Sequence, residues 1–170
     1  SALELGIDLE RSYSSYKEMA EREHKLEDGI EAVAIVTPNH LHFPIAECFL
    51  PKGIHVICDK PLTHTLEDAK KFVKVVENSS ALFALTHNYT GYPMVRQARE
   101  ICRSGKIGEV RVIQVEYPQD WLTTPLENAT DSPGNKQASW RTDPSKAGAG
   151  GCIGDIGSHA FNLADFITGA

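Results

Sequence analysis

The sequence predicts an α/β fold built on a parallel sheet. Apolar runs at residues 32–36, 54–58 and 81–85 each have the length of a buried strand. Segments with helical spacing lie between them, so successive strands are joined by crossovers rather than hairpins. Each run also stops at a polar or turn-forming cluster: Thr37-Pro38-Asn39, Asp59-Lys60-Pro61 and Thr86-His87-Asn88-Tyr89.

The elements follow in order. Residues 13–24 read as a helix, and 43–51 as the helix of the first crossover. Thr65 and Asp68 form an N-cap pair, with Asp where the capping box usually has Glu. Leu66, Ala69, Phe72, Val73 and Val76 then continue at helical spacing. Residues 94–103 form a helix closed by Ser104-Gly105. Right-handed crossovers place helices on the faces of the sheet, and strands that are apolar throughout predict that both faces are covered. The pattern changes near Lys106. Residues 110–117 alternate, which predicts a strand of another kind, and residues 118–151 form a polar, Pro- and Gly-containing stretch that is long for a loop. A last helix is expected over 155–167. The domain boundary falls near 105–108, dividing 1–107 from 108–170.

Composition narrows the function. The chain has 170 residues, 41% hydrophobic and 24% charged, which suits a soluble globular protein with one core or parts of two domains. A formal charge of -6 argues against a general nucleic-acid binder. No apolar run approaches the roughly 20 residues that span a bilayer. The first ten residues show no basic stretch leading into an apolar one, so no secretory signal is read there. Cys48, Cys58, Cys102 and Cys152 form no C-x-x-C pair and are expected to be reduced thiols. The expectation is a cytoplasmic protein with neither nucleic-acid nor membrane partners.

Open parallel sheets bind ligands beyond the carboxyl ends of their strands, so the three polar clusters would line one rim if the strands are neighbours. Bland readings stand beside this one. Thr37-Pro38-Asn39 also reads as a turn capping the next helix. His42 also reads as a helix-surface residue and Lys60 as a solvated lysine. In the last helix Asp155 and His159 are spaced i, i+4, and Asn162 adds i+7 on the same face. Ile156, Ala160, Leu163 and Ile167 make a neighbouring apolar stripe expected to pack on a sheet. Asp155 alternatively serves only the helix dipole. The glycine run from Gly148 to Gly154 looks like a dinucleotide fingerprint, but it follows a polar loop rather than a strand and is rejected as a phosphate site.

Several of these pieces occur together: Thr37-Pro38-Asn39 with His42, Asp59-Lys60-Pro61, His87-Asn88-Tyr89, Gly105-Lys106-Ile107-Gly108 before a strand, Trp140-Arg141, and Gly150-Gly151 ahead of Asp155 and His159. With them the chain resembles, over most of its length, the Gfo/Idh/MocA family of nicotinamide-dependent sugar and polyol dehydrogenases. The resemblance implies a partial Rossmann-type parallel sheet with helices, then the beginning of an α/β (α+β) C-terminal domain whose open sheet makes an oligomer contact. It implies NAD or NADP as cofactor, a sugar or polyol substrate, and a homo-oligomer, dimer or tetramer. Lys60 is then expected to contact the reacting hydroxyl, Asp155 to position substrate, and His159 to accept or donate the proton. Cofactor contacts are expected from Thr37, Pro38, Asn39, His42, Asp59, Lys60, Pro61, Asn88, Trp140 and Arg141, and no metal is implied. The family's first strand, its glycine-rich phosphate turn and the residue that selects NAD or NADP are expected before Ser1, and most of the second sheet after Ala170. Asp59 stands where the family usually has Glu, one methylene longer.

The expected activity is hydride transfer between a nicotinamide and a secondary hydroxyl. Two other classes compete. His40-Leu41-His42 is an H-x-H after a strand, with His87 at the end of a later one, and would suit a metal-dependent hydrolase. A non-catalytic binding module of the same fold is the third.

Overall fold

The computed structural model describes residues 3–128 and 135–170. Strands β1 (Ala32–Ile35), β2 (His55–Asp59) and β3 (Phe83–Thr86) form one parallel sheet in sequence order. Ile35 lies opposite Cys58, Cys58 opposite Leu85, and Asp59 opposite Thr86. Helices α1 (Tyr16–Glu23), α2 (His42–Phe49) and α3 (Leu66–Glu77) complete this half. α1 begins three residues later than its periodicity suggests because Ser15, in an extended conformation, caps it. Thr65 caps α3 as expected, its Oγ1 accepting the Asp68 N–H at 3.1 Å.

Ile35, Val56 and Cys58 point from the sheet into a core completed by Ala20, Phe43, Ala46, Phe49 and Phe72. The Phe72 ring lies 4.6 Å from that of Phe83 and 5.6 Å from that of Phe43. The opposite face differs from expectation. Ala34, Ile57 and Ala84 sit side by side there and are exposed, Ile57 at 46%. Right-handed crossovers through strands in the order 1-2-3 deliver α2 and α3 to the same side. Among the described residues, therefore, one face is covered and not two.

The second half holds α4 (Pro93–Arg103), α5 (Lys136–Arg141), α6 (Pro144–Ala147) and α7 (Ser158–Thr168). The last helix starts later than its spacing implies. One π-helical turn, Ile153–Gly157, precedes it, with the Ser158 N–H bonded to the Ile153 carbonyl five residues back. α7 packs on α4 rather than on the sheet, and the Arg99 guanidinium lies 4.4 Å from the Phe166 ring centre. Residues 110–117 form no strand: no described segment pairs with them, and Val112 is 84% exposed. Alternation alone does not make a ladder without a partner. Of the polar stretch 118–151, residues 129–134 lie outside the described residues. No described helix is long and apolar enough to cross a membrane. All four cysteines are free, and burial, with Asp59 nearby, pushes the Cys58 thiol up to about 12.

A buried carboxylate anchors the start of the chain. Glu23 is 2% exposed. It accepts hydrogen bonds from the Arg11 guanidinium, from Tyr13 Oη at 2.6 Å and from the Ile30 N–H at 3.1 Å. Gly29 closes this corner, since a Cβ there would meet the Glu23 carbonyl oxygen at 2.0 Å. The Arg11 hydrogen bond, outweighing burial and aided by Tyr13 and Ile30, holds the Glu23 carboxyl at about 2, against an ordinary 4.5. A carboxylate with a depressed folded value contributes stability above its unfolded value and loses it as pH falls through the folded one. Glu23→Gln is expected to cost about 1–3 kcal/mol at pH 7, with the gap to wild type closing between about pH 4.5 and pH 2. Urea unfolding at pH 7 and pH 3 checks this; a gap independent of pH contradicts it.

Candidate active site

The parallel register brings the three polar clusters to one rim. Asp59, the last residue of β2, pairs with Thr86, the last of β3, and the Thr86 hydroxyl donates to Asp59 Oδ1 at 2.8 Å. The backbone turns immediately afterwards through a cis Lys60–Pro61 bond. Lys60 crosses the opening to the π turn before α7, where its Nζ donates to Asp155 Oδ1 at 2.8 Å and also to the Asp155 carbonyl. The other carboxylate oxygen, Oδ2, accepts from Arg141 Nε at 3.0 Å. The Arg141 guanidinium stacks 4.2 Å from the Trp140 ring centre.

His159, in the first turn of α7, is 8% exposed. Its ring meets Tyr89 edge-on with centres 4.6 Å apart, and Tyr117 stands 6.4 Å away. The two tyrosine hydroxyls are hydrogen-bonded to each other at 2.5 Å. That bond, with burial, pushes Tyr89 up to about 12, so it stays protonated near neutrality.

Charge is arranged to suit proton transfer. Burial, then the Lys60 charge and His87, lowers the His159 imidazole below 6.5, against a smaller opposing pull from Asp155. Burial works against ionised Asp155, but Lys60 and Arg141 together hold its carboxyl below 3.8. At neutral pH the site therefore holds an ionised Asp155 beside a neutral imidazole.

Most of the residues expected at the site line one cleft of about 870 Å³: Thr37, Pro38, Asn39, Asp59, Lys60, Asn88, Trp140, Arg141, Asp155 and His159. Two do not. His42 is fully buried, with Nδ1 2.7 Å from the Pro61 carbonyl oxygen and Nε2 2.9 Å from that of Thr37. It is neither a surface histidine nor placed to touch a ligand; it ties two rim turns together from behind. Pro61 also lies outside the cleft lining. His42's bonds likewise remove the H-x-H metal reading, because both ring nitrogens face backbone oxygens. No cluster of three candidate metal ligands occurs among the described residues.

Some neighbours escaped the sequence reading. Thr86, Lys136 and Gln137 line the cleft. Thr86 and Tyr89 belong to the third rim cluster, of which only Asn88 was assigned a role. Tyr117 ends the alternating segment 110–117, whose pattern predicts a strand and says nothing of a contact with Tyr89 or His159. The glycine run has a packing purpose at Gly148: its φ is +89°, and a Cβ there would meet the His64 carbonyl oxygen at 2.6 Å. Next to it, Asn39 Nδ2 donates to the Ala147 carbonyl at 3.0 Å, so α6 is pinned to the rim beside the cleft.

The cleft suits the nicotinamide end of a dinucleotide. It lies at the carboxyl ends of parallel strands, and Thr37 Oγ1 on its rim is buried without a partner among the described residues. Among the described residues no strand runs into a glycine-rich turn of the kind that cradles a pyrophosphate.

Fold and site together define a Rossmann-type parallel sheet with a polar cleft at its carboxyl rim. Residues 2–87 match the oxidoreductase family with an NAD-binding Rossmann fold, and residues 95–170 match the GFO/IDH/MocA C-terminal domain. The chain belongs to the Gfo/Idh/MocA family. It is 55% identical to an oxidoreductase from Sinorhizobium meliloti, with a TM-score of 0.80, covering 99% of this chain and 40% of that one. An inositol dehydrogenase homolog from Azotobacter vinelandii, solved with NAD+, superposes at a TM-score of 0.91 with 33% identity over 98% of this chain and 41% of its own. Levoglucosan dehydrogenase of Pseudarthrobacter phenanthrenivorans is 35% identical over 140 residues, 82% of this chain and 33% of that protein. The chain thus spans about a third to two fifths of the relatives it matches.

The half-buried Lys60–Asp155 pair gives a direct test. A cycle of Lys60→Met, Asp155→Asn and the double variant is expected to show a coupling of about 0.5–3 kcal/mol in unfolding free energy. In Lys60→Met the Asp155 carboxyl should titrate at higher pH than in wild type, as followed by carboxyl carbon NMR. Zero coupling together with an unmoved titration contradicts the pairing.

Proposed function

We propose that this chain carries the proton-transfer side of an NAD- or NADP-dependent dehydrogenase acting on a secondary hydroxyl of a sugar or polyol. One observation supports this above the others: Lys60, Asp155 and His159 line a single cleft at the carboxyl rim of a parallel sheet. Relatives with dehydrogenase names, among them a levoglucosan dehydrogenase and an inositol dehydrogenase homolog, supply the substrate class.

A nicotinamide held in the cleft would supply the acceptor or donor for the hydride of the carbinol carbon. The chain's residues do the rest. Asn39, Asp59, Asn88 and the Trp140-Arg141 pair would hold the nicotinamide and its ribose against the rim. His159, kept neutral by burial and by Lys60, takes the hydroxyl proton in the oxidising direction and returns it in the other. The Lys60 ammonium faces the oxygen on which negative charge develops. Asp155 holds that ammonium in place. Tyr89 and Tyr117 wall the imidazole and keep water from it.

On the same reading residues 1–107 are part of the dinucleotide-binding domain and 108–170 open the substrate domain. The turn containing Gly105 and Gly108, both with positive φ, supports that division. Free thiols support a cytoplasmic location. Homo-oligomerisation belongs to the proposal through the family's second domain.

In the holoenzyme, His159→Asn is expected to lower kcat by about 10²–10⁴-fold while leaving NAD(H) affinity nearly unchanged. Because the His159 value is lowered, the wild-type acid limb of kcat/KM for alcohol oxidation should have its midpoint below 6.5, and the variant should lack it. A sugar and polyol panel with NAD and NADP, alongside a fluorescence titration of cofactor, provides the measurement. Absence of both turnover and cofactor binding overturns the proposal; an unchanged pH profile in the variant removes His159 from the chemistry.

A further inference from the structure

Arg141 does more in this structure than face the cleft. The Asp155 carboxylate is divided between two cations, Oδ1 with Lys60 Nζ at 2.8 Å and Oδ2 with Arg141 Nε at 3.0 Å. The guanidinium is itself immobilised. It lies 4.2 Å from the Trp140 ring centre and 5.7 Å from that of Trp121, and its Nη1 donates to the Gln137 carbonyl at 3.2 Å and to the Gln137 side chain. These are the chain's two tryptophans, and both flank this one group.

The position of the pair is equally informative. Asn39, Trp140, Arg141 and Asp155 line the main cleft and also a second cavity of about 210 Å³, so Arg141 and Asp155 belong to the wall the two share. A carboxylate held by a flexible lysine alone keeps rotational freedom, whereas a planar, stacked guanidinium fixes it. There is an electrostatic consequence. Lys60 and Asp155 alone would form a neutral pair. With Arg141 the trio carries net positive charge, and it does so where negative charge develops on the reacting oxygen.

We propose that Arg141 is a positioning residue for the proton-transfer site. It acts through Asp155, fixing the carboxylate and offsetting its charge so that Lys60 remains an effective cation toward the substrate. The kinetic consequence rests on the dehydrogenase reading above; the tether itself does not.

The experiment compares Arg141→Met, Arg141→Lys, Asp155→Asn and the Arg141→Met/Asp155→Asn double variant, each checked for folding by circular dichroism. In the holoenzyme, Arg141→Met is expected to lower kcat about 10- to 100-fold, because a misplaced catalytic group costs that much. Arg141→Lys should not restore the rate, since an ammonium supplies neither the planar fork nor the stacking. Added to Asp155→Asn, Arg141→Met should cost little more. Tryptophan emission gives a readout independent of turnover. It should change in Arg141→Met and also in Asp155→Asn, where the released guanidinium leaves its stacked position. Weakened NAD(H) binding with unchanged kcat, additive losses in the double variant, or tryptophan emission indifferent to Asp155→Asn would each overturn the proposal. A wild-type protein that couples Asp155 to tryptophan emission but oxidises no alcohol keeps the tether and refutes the dehydrogenase reading instead.

Discussion

The Lys60–Asp155 ion pair is the constraint on which the site depends. One partner stands at the end of the middle strand and the other on the π turn that starts the last helix, so a single contact spans residues 95 apart in sequence. Both side chains are largely withdrawn from water, at 16% and 17% exposure. A charge in that setting is costly without compensation, which is why the pair is closed by further hydrogen bonds and not left as an isolated bridge. Arg141 takes the second carboxylate oxygen, and the Asp155 carbonyl takes another Lys60 proton. Asp59 faces sideways to Thr86, and the lysine reaches across the cleft to the π turn.

A second support sits behind the first. His42 bridges the turns after β1 and β2 through two backbone carbonyls, Asn39 holds Ala147, and Gly148 allows the chain after α6 to lie against His64. These contacts are backbone-directed and buried, which suits elements that must keep a rim rigid while a ligand comes and goes. On the other side, α7 rests on α4, and Tyr89, from the turn just before α4, presses its ring against His159. The imidazole is thus fixed by packing while its proton affinity is lowered by burial and neighbouring positive charge.

The sheet was legible because its signals are local. Apolar runs of strand length, helical spacing between them and polar clusters at their ends suffice to place three parallel strands, while their being neighbours in the order 1-2-3 is seen only in the pairing. Lys60, Asp155 and His159 were legible for a related reason: Lys60 follows a strand end, and an i, i+4 pair keeps Asp155 and His159 together even across a π turn. What failed depends on partners the sequence does not name. Alternation over residues 110–117 gave no strand, since a ladder needs a neighbour. The apolar row of Ala34, Ile57 and Ala84 suggested a covered face, yet crossovers of one hand put both helices on the other. His42 looked like a rim residue because spacing along α2 does not say that two carbonyls will close over its ring. The shared carboxylate of Asp155, and the meeting of Trp121 with Arg141, are tertiary contacts between residues far apart in the chain and have no local pattern of their own.

The central claim is that Lys60 and His159 act on one hydroxyl from two sides of a single cleft. A crystal structure of the holoenzyme with a bound polyol tests it most directly. The account predicts one substrate oxygen within about 2.6–3.2 Å of both the Lys60 ammonium and a His159 ring nitrogen, with Lys60 still paired to Asp155. A polyol whose hydroxyls reach neither group, or a Lys60 swung away from Asp155 in the complex, would contradict it.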